Sequence, residues 1–431
     1  MSVTNIPGDI ADRCAGVGAS FWPFAAETAA REGTPFYVYL PDRAAAAYRC
    51  FASAIQRWGT GHVAFSIKTN PLFALLRDLN RWGALAETVS AWEISHAVRN
   101  GFPLERIVFN GPMKSEKDLR WALRNPPLTI NIDSLDELEA IDRSIGQTRV
   151  RAHIGLRLCP PKENGAWSRF GLELSTGELD EALGRIQRSR ALELRCIHFH
   201  LGTQVHNTTR YIEMIGLVKE VWARNRFSGD VWLDIGGGFP YDHSTVLEEQ
   251  TFVPIHFFAA LADAWGPAPR PVLLAEPGRF ISAPAMAVVS RVLACKPRLG
   301  EPTIVVLDSG TNHNVMAAFY EHLWAYTGVA AGASHRFCGP LCMEDDILSG
   351  ERRSAPPETG ALVAAFNAGA YSLALSRTFI QPRPPVFALY GDGAHRVLQP
   401  REVAGGAYAL GPPLAPNPHG PAGDGAEEAA P

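Results

Sequence analysis

The sequence predicts an α/β fold: a parallel (β/α)8 TIM barrel followed by a mainly β C-terminal domain of barrel or sandwich type. Three observations carry that prediction. Through roughly the first two thirds of the 431 residues, apolar strand-like runs alternate with amphipathic helical patterns. Ionisable residues and glycines fall at the carboxyl ends of those runs, where barrels place their chemistry. Near Ala283 the helical rhythm stops, and short β-type runs separated by Pro, Gly and charged turns follow. An open doubly wound sheet is the alternative for the first part.

Residues 1–34 are mixed in character, and part of 1–35 is expected to join the C-terminal domain. Phe36–Leu40 is β-prone, and Pro41-Asp42 opens a helix to about Trp58, with Pro at its first position and Asp42 in its first turn. Eight barrel strands are expected at His62–Lys68, Ala84–Ser90, Ile107–Gly111, Leu128–Asp133, Val150–Leu158, Leu194–Leu201, Val231–Ile235 and Val272–Glu276. Helical patterns lie between them at Leu72–Trp82, Ala91–Asn100, Ser115–Arg124, Leu135–Ile145, Thr208–Asn225 and Pro254–Trp265. Leu72, Leu75, Leu76 and Leu79 show the three-and-four spacing of a buried helix face, and Ser134 with Glu137 has capping-box spacing. The β runs are Met286–Cys295, Thr303–Asp308, Ala361–Phe366, Val386–Leu389 and Ala394–Leu398. This divides the chain into a barrel over 36–283, a β domain over 284–405 and a disordered tail of Gly, Pro, Ala and acid over 406–431.

Hydrophobic residues make up 46% and charged residues 19%, the balance of a soluble globular protein. A net charge of −4 without a Lys/Arg block argues against nucleic acid and anionic membrane as partners. The start lacks a basic segment followed by an apolar stretch, and no apolar run spans a bilayer, so a cytoplasmic protein is expected. Seven cysteines without paired spacing read as reduced thiols. Cys338 and Cys342 have no second pair to complete a zinc site, and no metal is expected.

The strand ends carry the chemistry. Lys68 closes the first barrel strand before Asn70-Pro71. Alone it reads either as a surface lysine or as an amine that loses basicity by desolvation and forms a Schiff base with an aldehyde. Glu87 and Ser90 end the second strand. His198 and His200 share one side of the sixth, either as core residues or as flat rings beside a planar cofactor. Gly236-Gly237-Gly238 is either a tight turn or a cradle of N–H groups around an anion. Glu276 in Glu276-Pro277-Gly278-Arg279 either pairs locally with Arg279 or holds a protonated ring nitrogen. An amine nucleophile, an anion cradle, a ring-nitrogen carboxylate and a stacking imidazole on one rim are the inventory for pyridoxal 5′-phosphate.

The motifs FSIKTNP (65–71), ETVSAWE (87–93), HFHLGTQ (198–204), LDIGGGFP (233–240), AEPGR (275–279), CGPLCMEDD (338–346) and NAGAY (367–371) resemble the alanine-racemase-fold PLP decarboxylases, the diaminopimelate and ornithine decarboxylase group. The resemblance runs from about Thr34 to Val403 and implies a homodimer with active sites shared between subunits. It implies that Lys68 holds the cofactor, Glu87 keeps the usual carboxylate, His200 stacks on the ring and Glu276 pairs with its nitrogen. Thr203, Gly236, Gly237, Gly238, Gly278, Arg279 and Tyr371 would bind the cofactor, chiefly its phosphate. Cys342 would reach in from the partner subunit, near the carbon reprotonated after CO2 leaves.

The substrate pocket departs from the group. Arg279, Met316, Tyr320 and Met343 are its expected substrate-facing residues. Met316 stands where diaminopimelate enzymes carry Arg, and Met343 where an acid follows the cysteine. The expected substrate is therefore an amino acid or amino-acid conjugate, free or carrier-bound, of siderophore or other natural-product synthesis, rather than meso-diaminopimelate. Ornithine or lysine, through Glu321, Glu344 or Asp345, is the rival. A decarboxylase of diaminopimelate, a racemase of the same fold and a catalytically dead binding homologue are the remaining alternatives.

Overall fold

The computed structural model describes residues 18–145, 151–160, 168–227, 229–241, 252–327 and 334–403. A helix over Gly18–Glu32 and a strand, β1 (Phe36–Tyr39), precede the barrel. Eight parallel strands then close on themselves: β2 (Gly61–Ser66), β3 (Leu85–Thr88), β4 (Ile107–Phe109), β5 (Thr129–Ile132), β6 (Ala152–Leu158), β7 (Leu192–Phe199), β8 (Trp232–Asp234) and β9 (Leu273–Ala275), with β9 paired back to β2. The short strands are almost wholly buried, as expected where helices cover the outside of a parallel sheet. The order expected from the alternation is the order observed.

Local chemistry sets the helix limits. Phe73–Trp82 buries Ala74, Leu75, Leu76 and Leu79 and stops at Gly83, whose φ of 97° a β-carbon would strain. Ser90 and Ser115 cap the helices Ala91–Arg99 and Glu116–Arg124 through their side-chain oxygens. The Ser134 capping box is half formed. Its Oγ accepts from the Glu137 N–H, but Glu137 turns to the Asp133 N–H and to Lys114 instead of closing the box. A helix over Glu178–Arg188, between β6 and β7, completes the alternation.

The second domain is one mixed sheet built on β10 (Met286–Arg298), β11 (Glu301–Leu307), β12 (Leu323–Tyr326), β13 (His335–Cys338), β14 (Leu362–Phe366), β15 (Val386–Leu389) and β16 (His395–Gln399). The boundary at residue 36 needs correction. β1 pairs antiparallel with β10 and parallel with β15, so it is a central strand of this sheet and not part of the barrel. Helix Gly18–Glu32 packs on the same sheet, with Phe21 against Phe366 and Phe24 against Phe36 and Phe387. The tail expected over 406–431 lies outside the described residues. No helix among the described residues is long and apolar enough to cross a membrane.

The two domains lock together beside the barrel mouth. Asn70 donates to the Gly369 carbonyl at 2.9 Å, and the Tyr371 N–H donates to the Thr69 carbonyl at 2.7 Å. Gly369 is required there, since a β-carbon would sit 1.8 Å from the Ser282 carbonyl. This contact carries Tyr371 onto the turn that holds Lys68.

Candidate active site

Strand β2 ends at Ser66, two residues earlier than expected, and Lys68 lies on a single 3-10 turn over Ile67–Thr69. Its Nζ is 2.7 Å from Glu87 Oε2, and Ser66 Oγ donates to the same oxygen at 2.5 Å. The Glu87 side chain is 1% exposed, the Lys68 side chain 38%. The expected loss of lysine basicity does not hold among these side chains. Burial pulls the ammonium down, but the charges of Glu87 and Glu276 and the Glu87 hydrogen bond outweigh it, and the lysine is held protonated. Burial pushes the Glu87 carboxyl up, but the Lys68 charge and the hydrogen bonds from Lys68, Ser66 and Asn110 pull it down further, so the two form a settled ion pair.

Glu276 follows β9 and does not pair with Arg279. Its Oε1 accepts from Asn110 Nδ2 at 2.6 Å, and its Oε2 lies 3.9 Å from His198 Nε2. Donor atoms of His198, Asp234 and Glu276 come within 4.8 Å of one another, all buried. Linear spacing hid this cluster, because His198 showed no acidic companions in sequence. Burial drives the Asp234 and Glu276 carboxyls above the usual carboxylate range, and the Asp234 charge pushes Glu276 further. Burial also keeps His198 neutral. Two carboxyls holding a proton in a dry pocket suit a basic ring nitrogen that arrives to share it.

The glycine loop is wedged between strand ends. β-Carbons at Gly236, Gly237 and Gly238 would fall 2.4 Å from the Phe199 carbonyl, 2.6 Å from the Glu276 carbonyl and 2.3 Å from the Gly202 carbonyl. The amide cradle is narrower than three glycines suggest. Gly236 N–H goes to Asp234 Oδ1, and Gly237 N–H goes to His200 Nδ1 at 3.1 Å. The second bond leaves the His200 proton on Nε2. Thr203 is exposed on the facing loop, whose Gly202 carbonyl packs against Gly238. Arg279, 7% exposed, packs 4.2 Å from the Tyr320 ring centroid and 5.4 Å from that of Tyr371, with its Nε unpartnered. A buried guanidinium between two rings can receive a phosphate or a carboxylate. Gly278 serves packing: a β-carbon would meet Thr69 Cγ2 at 2.3 Å, so the glycine lets Arg279 ride against the Lys68 turn. The donor set fits pyridoxal 5′-phosphate: an amine, an imidazole face, an acidic ring-nitrogen pocket and a cationic phosphate end.

Met316 is buried on the turn Val315–Ala318, whose carbonyl at Met316 accepts from the Tyr320 N–H. Cys342 and Met343 are not on this rim. They are exposed in a groove with Lys296, Arg336 and Glu344, lined wholly by the β domain. Their loop is fixed by buried Asp346, which accepts from the Thr311 N–H and hydroxyl and from the Leu341 N–H. Asn110, Asn131 and Asp234 escaped the sequence reading. Asn110, at the carboxyl end of β4, carried the same positional signal as Lys68 and Glu87.

A family profile described as pyridoxal-dependent decarboxylase, pyridoxal binding domain, matches residues 44–283. The diaminopimelate decarboxylase of Aquifex aeolicus is 27% identical over 396 residues, 87% of this chain and 91% of that one. The L-glutamyl-[BtrI acyl-carrier protein] decarboxylase of Niallia circulans is 27% identical over 405 residues, 86% and 92% of the two chains. The crystal structure of a Helicobacter pylori diaminopimelate decarboxylase with L-lysine superposes with a TM-score of 0.80 at 24% identity, covering 88% of this chain and 97% of that one.

The His200 geometry has a pH signature. Burial first, then the charges of Lys68 and Arg157, hold its imidazole down at about 4. Between the ordinary histidine value of about 6.5 and that value, the folded state binds fewer protons than the unfolded state. Its contribution to stability is thus complete above about pH 6.5 and is lost as pH falls toward 4. In thermal unfolding of cofactor-free protein, the midpoint difference between wild type and His200→Asn should shrink over that interval. A difference independent of pH would show that Nδ1 does not depend on a neutral ring.

Proposed function

Because this chain belongs to the pyridoxal-dependent decarboxylases, which are carboxy-lyases using pyridoxal 5′-phosphate, we propose that it is a homodimeric cytoplasmic decarboxylase acting on an amino acid with a neutral, masked or carrier-linked distal end. The observation that carries the reading is the single hydrogen-bonded rim of Lys68, Glu87, Asn110 and Glu276. Pyridoxal 5′-phosphate bound to Lys68 supplies an aldehyde carbon for the substrate amine and a protonated ring that accepts the electron pair left when CO2 departs. Glu276 would hold a proton at the ring nitrogen, with Asp234 sharing the acidic pocket. Glu87 would hold the Lys68 nitrogen, His200, its Nδ1 pinned by Gly237, would lie against the ring, and Arg279, Tyr371, Thr203 and the glycine loop would hold the phosphate.

Cys342 completes the site from a second chain. Its groove is lined within its own chain by β-domain residues alone, far along the sequence from the rim. Inactive Lys68→Ala and Cys342→Ala chains, mixed and reassociated, should regain part of the wild-type activity, because one of the two sites in a heterodimer is intact. Confirmed heterodimers without recovery would place each site within one chain.

The substrate reading rests on the methionines. A distal carboxylate facing Met316, or a distal ammonium facing Met343, meets a thioether, and an unpaired desolvated charge costs several kcal/mol. Glu321 is not a substitute anion, since Arg352 Nη1 is 3.1 Å from its Oε1 and the Gly350 N–H donates to its Oε2. Exposed Glu344 and Asp345, beside Met343, are what favours ornithine or lysine as a second reading. Kinetics on diaminopimelate, ornithine, lysine and carrier-linked or conjugated amino acids should show diaminopimelate as a poor substrate. Met316→Arg should raise its kcat/KM by about tenfold or more, the effect of about 1.4 kcal/mol. Efficient wild-type turnover of diaminopimelate, unimproved by Met316→Arg, would contradict the reading.

A further inference from the structure

Asn110 stands just past β4, 5% exposed, beneath the rim. Its Nδ2 donates to Glu276 Oε1 at 2.6 Å and to Glu87 Oε1 at 3.2 Å. Its Oδ1 accepts from Asn131 Nδ2 at 2.8 Å, and Asn131 Oδ1 in turn accepts from Thr129 Oγ1 at 3.1 Å. The chain of bonds runs from inside the barrel up to the two carboxylates. It also fixes which way the Asn110 amide faces, since only its NH2 end serves two acceptors above and only its oxygen serves a donor below. Space for Asn131 comes from Gly155 on β6, where a β-carbon would lie 1.7 Å from Asn131 Oδ1.

We infer that Asn110 is a positioning residue for the cofactor: one neutral amide holds the carboxylate that faces Lys68 and the carboxylate that faces the ring nitrogen at a fixed separation, with Asn131 and Gly155 setting the orientation of that amide from below. The inference rests on the cofactor reading above. Two buried carboxyl groups this close do not ionise together cheaply, and an amide that donates to both lowers that cost without adding a cation that would compete with Lys68 or with a ring proton. Removing the donor lets both carboxylates turn away. Glu87 then pairs less tightly with the Lys68 nitrogen, and Glu276 meets the ring less well.

The test uses the holoenzyme and three readouts: the dissociation constant for pyridoxal 5′-phosphate, the pH midpoint of the visible band of the Lys68-bound cofactor, and kcat against KM per bound cofactor. Asn110→Ala should weaken cofactor binding about tenfold, move the midpoint down by about one pH unit as an opposite charge is loosened, and lower kcat with KM unchanged. Asn131→Ala touches neither carboxylate and should move the midpoint the same way by less. It also keeps the proposal testable if Asn110→Ala fails to fold. Variants that lose only thermal stability, with wild-type midpoint and cofactor affinity, would overturn the inference. A wild-type chain without any visible band would reject the cofactor reading itself and this inference with it.

Discussion

Everything at the barrel mouth depends on how three carboxyl groups are kept in a nearly dry place. Glu87, Asp234 and Glu276 are each at most 3% exposed, and of the three only Glu87 is in an ion pair with the Lys68 ammonium. Buried charge without a partner is expensive, so each group is settled differently. Glu87 takes the lysine and a serine hydroxyl. Asp234 and Glu276 rise above the ordinary carboxylate range and hold a proton. Asn110 ties the two regimes together with one amide. The result is a gradient across a single rim, from a cation held by an ionised carboxylate to an acidic pocket ready for a ring nitrogen. A pyridoxal cofactor needs that same polarity, with its aldehyde at one end and its nitrogen at the other.

The rest of the molecule keeps this rim in register. Arg279 and the Lys68 turn are pressed together through Gly278, and the β domain clamps the same turn through Asn70 and Tyr371. The clamp works because the domains share chain: β1 leaves the second sheet and leads at once into the first barrel helix, Pro41–Ala54. The same sheet carries the Cys342 loop away from its own rim.

Much of the barrel was legible because each of its strands is local and nearly continuous in apolar character. Strand ends announced Lys68, Glu87, His200, the glycine loop and Glu276. What escaped was non-local. Nothing near Phe36–Tyr39 says which sheet it joins; its partners lie about 250 and 350 residues further along, at β10 and β15. Leu323–Tyr326 and His335–Cys338 are four residues each, and the second carries histidine and arginine, so their β character depends on neighbours. Asp234 was read as a strand residue before the glycines, and its companionship with Glu276 and His198 exists only once the barrel closes. Lysine basicity failed for a related reason: desolvation was legible, but the carboxylates that reverse it come from other strands.

The claim on which the account stands is that Lys68 binds the cofactor while the acidic pocket at Glu276 receives its ring nitrogen. Borohydride reduction of purified holoenzyme, followed by mapping of the labelled peptide, tests it most directly. The account predicts a single pyridoxyl label on Lys68, and Lys68→Ala protein that shows no visible band without added amine. A label on another lysine, or a band retained in Lys68→Ala without added amine, would contradict it.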